Sequence, residues 1–278
     1  MRRVSTKVNV RPFTATDAAA VAQISRLTGQ PDSDSGADPN YLAHLAEAGT
    51  ILVGSTTDDE VVAWGAVTTT AWGEMLTDLF VDPAWQGRGV GAALLGHLWP
   101  AGPVEGHRFT FSSWHARALP LYARAGLVPS WPLLYLRGDP RRLGPSPVHV
   151  QRPAPATAGA AEATITGFDR AVTYAYWGHH AHTTGLAVYD GSELVAAGIG
   201  SATELTHLAC APDADASASV TAALRALGGT ETTICLPGPH PALVPLLDAG
   251  FQIIDHDILM ACPGVTLPTV WVFSPGLA

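Results

Sequence analysis

Six residues, Gln86-Gly87-Arg88-Gly89-Val90-Gly91, stand between an apolar stretch and a helix-forming one. Met75 to Val81 is apolar and β-prone, and Asp82-Pro83 stops it, since proline cannot donate to a sheet ladder. Ala92-Ala93-Leu94-Leu95 then begins a helix. A strand, a glycine-rich turn and a helix N-terminus make an anion site, because backbone N–H groups converge and the helix dipole adds positive potential. Glycine suits Gly89 and Gly91, where a Cβ would keep a phosphate from the backbone. A P-loop would need GxxxxGK[ST], but the chain's only lysine is Lys7. A dinucleotide fold would need GxGxxG directly behind the strand. Here the glycines alternate, and five residues separate Val81 from Gly87.

The stretch resembles the acyl-CoA signature of the GNAT superfamily of N-acyltransferases, (Q/R)-x-x-G-x-(G/A). Gln86, Gly89 and Gly91 match it, as does the Leu-Phe-Val-Asp-Pro lead-in. The resemblance implies acetyl-CoA as acyl donor, attacked directly by an amine. It implies that the backbone of Leu79, Phe80 and Val81 pairs with the pantetheine arm, with Val81 N–H as oxyanion donor. Gln86, Gly87, Arg88, Gly89, Val90, Gly91 and Ala92 would hold the pyrophosphate. The family also places a tyrosine in N-x-x-A-x-x-L-Y-x-x-x-G-F. Here His115-x-x-Ala118-x-x-Leu121-Tyr122-x-x-x-Gly126-Leu127 matches, so Tyr122 would protonate the leaving thiolate. His115 replaces the usual asparagine, as a pantetheine contact or as a base. Glu74 or Asp78 could serve as general base. In a regular strand these two share one face and Val81 takes the other. Many family members rely on solvent instead. Acceptor contacts in such proteins come from regions equivalent to Thr28 to Asn40, with Asp32, Asp34 and Asp38, and to Pro129 to Leu134, with Trp131. Trp72 and Trp85 read as packing or surface residues.

The elements that position these residues follow from local pattern. Val8 to Pro12 reads as an edge strand. Ala18 to Leu27 reads as a helix capped by Thr16 or Asp17, and Tyr41 to Ala48 as a second helix. Ile51 to Ser55 and Val61 to Thr70 form a hairpin. After the central strand and the turn come a strand at Arg108 to Ser112, a helix at Ala116 to Ala125 ended by Gly126, and a strand at Leu133 to Arg137. The order βααβββαβαβ over about residues 8–137 is that of the GNAT fold.

Gly138 to Pro147 reads as a linker. The pattern then restarts. Val148 to Pro153 echoes Val8 to Pro12, the hairpin Gly185 to Gly200 echoes Ile51 to Thr70, and Leu205 to Pro212 echoes Leu76 to Pro83. Ala242-Leu243, followed by Ala249-Gly250-Phe251, echoes Ala118-Leu119 and Ala125-Gly126-Leu127. The expected fold is α/β (α+β): two tandem GNAT-like domains, residues 1–146 and 147–278, each a mixed, mostly antiparallel sheet flanked by helices. Ala216 to Thr221 replaces the glycine turn in the second copy, and Leu246 replaces Tyr122. The first copy is therefore expected to bind acetyl-CoA and do the chemistry.

Composition narrows the partners. Through residue 152, 13 acidic and 13 basic side chains cancel. Beyond it, 11 acidic residues face only Arg170 and Arg225, so the net charge of −9 sits in the second half. That disfavours nucleic acid and favours a cationic substrate. No apolar run is long enough to span a bilayer, and a cytoplasmic protein is expected. Cys210, Cys235 and Cys262 form no CxxC pair, and His179, His180 and His182 lack a metal motif, so no metal is expected. The composition is that of a high-GC bacterial genome. The chain resembles the tandem GNAT proteins of actinobacterial metabolism, mycothiol synthases and antibiotic-cluster proteins among them, although in mycothiol synthases it is the C-terminal copy that works. The expected activity is acetyl transfer to the primary amine of a small, cationic metabolite or antibiotic-like compound. The competing readings are a non-catalytic acyl-CoA-binding protein and a protein or peptide N-acetyltransferase.

Overall fold

The structure, a computed structural model, describes residues 8–28, 36–100 and 107–278 of the 278-residue chain. The chain divides into two units, Met1–Thr110 and Phe111–Ala278.

The first unit contains β1 (Asn9–Pro12), α1 (Ala18–Thr28), α2 (Pro39–Ala48), β2 (Gly49–Ser55), β3 (Val61–Thr70), β4 (Gly73–Val81), α3 (Val90–Leu98) and the start of β5 (Arg108–Ser113). The strands lie in the order β1-β2-β3-β4-β5, antiparallel except for β4 and β5. That parallel pair is joined through α3, as a parallel connection requires. One sheet face meets α1, where Trp64 Nε1 donates to Ser25 Oγ at 3.1 Å. The other meets α3, where a Cβ on Gly65 would lie 3.0 Å from Leu98. Val21, Leu45, Trp64, Met75 and Leu94 are fully buried and form the core.

The approach to α1 differs from expectation. A 3₁₀ turn, Ala15–Asp17, precedes the helix, and Asp17 reaches back to accept the Thr14 N–H at 2.8 Å. The Arg11 guanidinium grips the same carboxylate through two bonds of 2.8 and 2.9 Å. With that partner the Asp17 carboxyl is lowered to about 2.

The central strand is irregular. Its register with β3 passes from Ala66↔Asp78 to Val67↔Leu76, leaving Thr77 as the extra residue of a β-bulge. The Thr77 hydroxyl donates to the Ala66 carbonyl at 3.2 Å.

The second unit holds α4 (Ala118–Arg124), β6 (Val128–Gly138), β7 (His149–Gln151), α5 (Pro155–Thr166), α6 (Ala171–Gly178), β8 (Thr184–Asp190), β9 (Glu193–Gly200), β10 (Glu204–Cys210), α7 (Ala216–Leu227), β11 (Thr232–Pro237), α8 (Leu243–Asp248) and β12 (Gln252–Ala261). From β7 to β12 the element order repeats that from β1 to β6. The bulge repeats as well: the β9–β10 register shifts between Leu205 and His207, so Leu205-Thr206-His207 stands where the first repeat has Leu76-Thr77-Asp78. The strand order here is β12-β6-β11-β10-β9-β8-β7. Thus β6, which ends the first element series, is hydrogen-bonded on one side to β11 and on the other to β12. Tyr174, Leu186, Ile199, Leu236 and Phe273 lie in this unit's core. No helix among the described residues is long and apolar enough to cross a membrane.

Candidate active site

Among the described residues of the first unit, part of one edge of β4 is left without a strand partner. Asp82 N–H donates to the Val62 carbonyl at 2.9 Å, which turns the peptide of residue 82 towards β3. Backbone groups alternate along an antiparallel strand, so Phe80 and Asp78 also bond to β3, while Leu79 and Val81 point the other way. On that other side β5 pairs with β4 only at Glu74↔Arg108 and Met75↔Phe109. The Thr110 hydroxyl takes the Leu76 carbonyl at 2.8 Å. Beyond it, no described strand of this unit covers β4. Gln86 Nε2 donates to the Val81 carbonyl at 3.1 Å, tying the turn to the strand end. The Leu79 and Val81 N–H groups are thereby aimed outward from one edge.

That edge runs into the glycine turn. Asp82 accepts from Ala84 N–H at 2.7 Å and starts a 3₁₀ turn, Pro83–Trp85. Gly87 and Gly89 follow with φ of 74° and 87°. A Cβ at either would meet nothing within 4 Å, so the backbone conformation is what demands glycine here. Gly89 is the N-cap of α3 and brings no side-chain cap. The helix's first internal bond runs from Ala93 N–H to Gly89 O at 3.0 Å. The N–H groups of Val90, Gly91 and Ala92 lie ahead of it and project from the helix end. Arg88 lies 5.0 Å over the Trp85 ring, which keeps a positive charge beside the turn. An exposed, uncapped helix start with an adjacent guanidinium can hold a phosphate-type anion.

The two carboxylates proposed as bases do not share a face. The Thr77 bulge breaks the simple alternation, which corrects the parity expected from sequence. Asp78 lies opposite Ala66 on the α1 face, where it accepts the Tyr41 hydroxyl at 2.8 Å and is buried. Glu74 falls on the α3 face, as do Leu79 and Val81. It forms an ion pair with Arg108 at 3.3 Å at the opposite end of β4 from Val81, roughly 20 Å along the strand.

Tyr122 is in α4 of the second unit and is buried. His115 is exposed three residues before that helix, and its Nδ1 accepts the Arg117 N–H at 3.2 Å. His240 repeats the arrangement before α8, its Nδ1 accepting from Ala242 N–H at 3.0 Å. Burial pushes His240 down to about 4. Asp38 caps α2 by accepting from Asn40 N–H at 2.9 Å, whereas Asp32 and Asp34 lie outside the described residues. Trp131 packs in an aromatic cluster with Phe111 and Phe273. His179, His180 and His182 are exposed, and no group of metal-ligating side chains occurs among the described residues.

Sequence reading missed a buried polar cluster in the second unit. Glu162 accepts the Tyr174 hydroxyl at 2.6 Å, approaches His207 Nε2 at 3.1 Å and lies 3.8 Å from Arg170. Trp177 stacks on His207 at 5.4 Å, and Arg170 sits 5.3 Å over Trp177. Burial drives the His207 imidazole down, against the pull of Glu162. Burial opposes ionisation of Glu162, but His207, Arg170 and Tyr174 together hold its carboxyl below the ordinary value. The available signal was the echo of Leu-Thr-Asp in Leu-Thr-His, which puts His207 at the position of Asp78.

Residues 47–128 match the family model described as acetyltransferase (GNAT) domain. The chain carries a GNAT acetyltransferase domain. Solved structures share the GNAT fold over nearly the full length at low identity. One from Pyrococcus horikoshii, assigned to the acetyltransferases, is 16% identical with a TM-score of 0.73, covering 98% of this chain and 94% of that one. A GCN5-related N-acetyltransferase from Sphaerobacter thermophilus is also 16% identical, with a TM-score of 0.55 and coverages of 94% and 98%. A tandem GNAT protein from the clavulanic acid biosynthesis pathway is 13% identical, with a TM-score of 0.59 and coverages of 92% and 98%. A sequence search of curated proteins found no match. The GNAT domain places the chain among the N-acetyltransferases.

Proposed function

We propose that the first repeat binds acetyl-CoA and passes its acetyl group directly to the primary amine of a small, cationic acceptor. The observation that carries this reading is the continuity of two unsatisfied surfaces. The outward N–H groups of Leu79 and Val81 lead into the uncapped start of α3 at Val90, Gly91 and Ala92. An extended chain ending in a pyrophosphate fits such a path, its amides pairing with the strand edge and its anion resting on the helix end. Val81 N–H would stabilise the developing oxyanion, and Tyr122 would protonate the departing thiolate. Glu74 is left out as base because Arg108 engages it at the far end of β4. Asp78, beside Tyr41 on the α1 face, is the carboxylate to test. The acidic second half supports a cationic acceptor through long-range attraction.

Calorimetric titration of acetyl-CoA into the intact protein and into Gly89→Glu tests the donor site. One equivalent bound by the former and none by the latter supports it. Thiol release over a panel of small amines then tests turnover, with Tyr122→Phe lowering the rate and sparing CoA affinity. Binding without turnover would favour a non-catalytic acyl-CoA-binding protein. Turnover only with peptides would favour a peptide N-acetyltransferase.

A further inference from the structure

The second repeat has the same strand arrangement as the first, but both halves of the corresponding path are filled by the chain itself. Just past β10 the Ala211 N–H donates to the Val195 carbonyl at 2.8 Å, as Asp82 does to Val62 at 2.9 Å just past β4. Counted from this bond, Leu208 corresponds to Leu79, and its backbone points away from β9. The parallel contact of β10 with β11 is again brief, at Glu204↔Thr233 and Leu205↔Ile234. Into the opening beyond it comes the C-terminal segment. Val272 exchanges two hydrogen bonds with Leu208, of 3.2 and 2.9 Å, and Phe273 N–H donates to Cys235 of β11 at 3.2 Å. Trp271 Nε1 donates to the Cys210 carbonyl at 2.9 Å. Trp271, Val272 and Phe273 are all buried, and Arg170 fastens the tail further along by donating to the Leu277 carbonyl.

The anion half is closed differently. Where α3 begins with bare Gly89, α7 begins with Asp215, whose carboxylate accepts from Ala218 N–H at 2.9 Å. A fixed carboxylate at that helix end satisfies a donor and repels phosphate.

We infer that the second repeat holds a strand-shaped ligand slot between β10 and β11 whose resident ligand is the chain's own segment Trp271–Phe273. The ligand class is an extended apolar peptide, recognised by backbone pairing to Leu208 and Cys235 and by burial of its side chains. The slot's equivalence to a donor site rests on the proposed function of the first repeat, whereas its occupation by the tail does not.

The test starts from the folded full-length protein. A protease recognition sequence is inserted between Pro263 and Gly264, which are exposed, and cut after purification. The cleaved tail should co-elute with the body on gel filtration. If it is lost, adding it back must restore the near-ultraviolet signal of the surrounding tryptophans, and failure to do so overturns the proposal. A labelled synthetic peptide of residues 264–278 should exchange into the cleaved protein, with polarisation rising to saturation. The same peptide N-methylated at Val272 lacks the N–H that donates to Leu208 and should bind at least about tenfold more weakly. Absence of exchange below the unfolding temperature would make the tail an ordinary core segment. Equal uptake of the N-methylated peptide would refute strand pairing. Displacement of the label by excess acetyl-CoA would refute a peptide as the slot's ligand. Acetyl-CoA binding by the intact protein and by Gly89→Glu is measured separately, so failure of the donor-site reading leaves the peptide result interpretable.

Discussion

Replacing Gly89 by aspartate would transplant into the first repeat the cap that Asp215 provides in the second. Two small terms act on stability. The positive φ of Gly89 strains any side chain by roughly 1–2 kcal/mol, less for aspartate than for most, and the new cap returns a few tenths. A Cβ there meets no atom within 4 Å, so no clash is added. The net loss should stay near 1 kcal/mol, which a thermal melt would record as a shift of a few degrees. Acetyl-CoA binding should suffer much more. A carboxylate about 4 Å from a phosphate costs about 1 kcal/mol per charge pair in water and about 4 kcal/mol at the dielectric of a protein surface. Affinity should fall at least about tenfold by calorimetry, and the deficit should shrink as salt is raised. Gly89→Ala controls for strain and should lose far less. Binding of acetyl-CoA by Gly89→Asp within threefold of the parent would refute the assignment of this turn to phosphate.

Asp78→Asn should slow thiol release with a saturating amine at near-neutral pH, whereas Glu74→Gln should leave the rate within about twofold; the opposite ranking in steady-state assays would discard Asp78 as base. Glu162→Gln keeps the shape of a buried side chain but leaves Arg170 without its anion, and urea denaturation should show a loss of about 3–5 kcal/mol. His240 has its pKa lowered to about 4 in the folded state, below its unfolded value near 6.5. Protons therefore bind the unfolded chain more readily, and stability present above pH 6.5 is lost as pH falls towards 4. Between pH 7.5 and 5 the cost should be about 2 kcal/mol in denaturant titrations, and His240→Asn should remove most of that difference.

Most of the fold could be read from local pattern. Apolar periodicity and turn residues located the strands and helices of the first repeat within about five residues, and β7 to β10 of the second, because those signals depend on near neighbours in sequence; α5, α6, β11 and β12 were not read. The glycine turn was legible for the same reason. The face assignments of Glu74 and Asp78 were not, since a bulge is a property of two strands and nothing in Leu76-Thr77-Asp78 alone announces the extra residue. The Glu162–Arg170–Tyr174–His207 cluster also escaped, because its members come from two helices and a strand. The filling of the second repeat by Trp271 to Phe273 was hidden by distance along the chain: a tail with few polar residues reads simply as a terminus.

The placement of β6 bears on how the chain is made. This strand leaves the ribosome about 100 residues ahead of the end of β11 and further still ahead of β12, its two partners. At synthesis rates of about 5–20 residues per second, it waits roughly 5–20 s with both edges unpaired. An eleven-residue strand in that condition is a template for pairing with other chains. Cutting the gene after the linker would make the wait permanent. Expressed alone, the first series of elements should aggregate through Val128–Gly138 unless the rest of the chain is supplied with it.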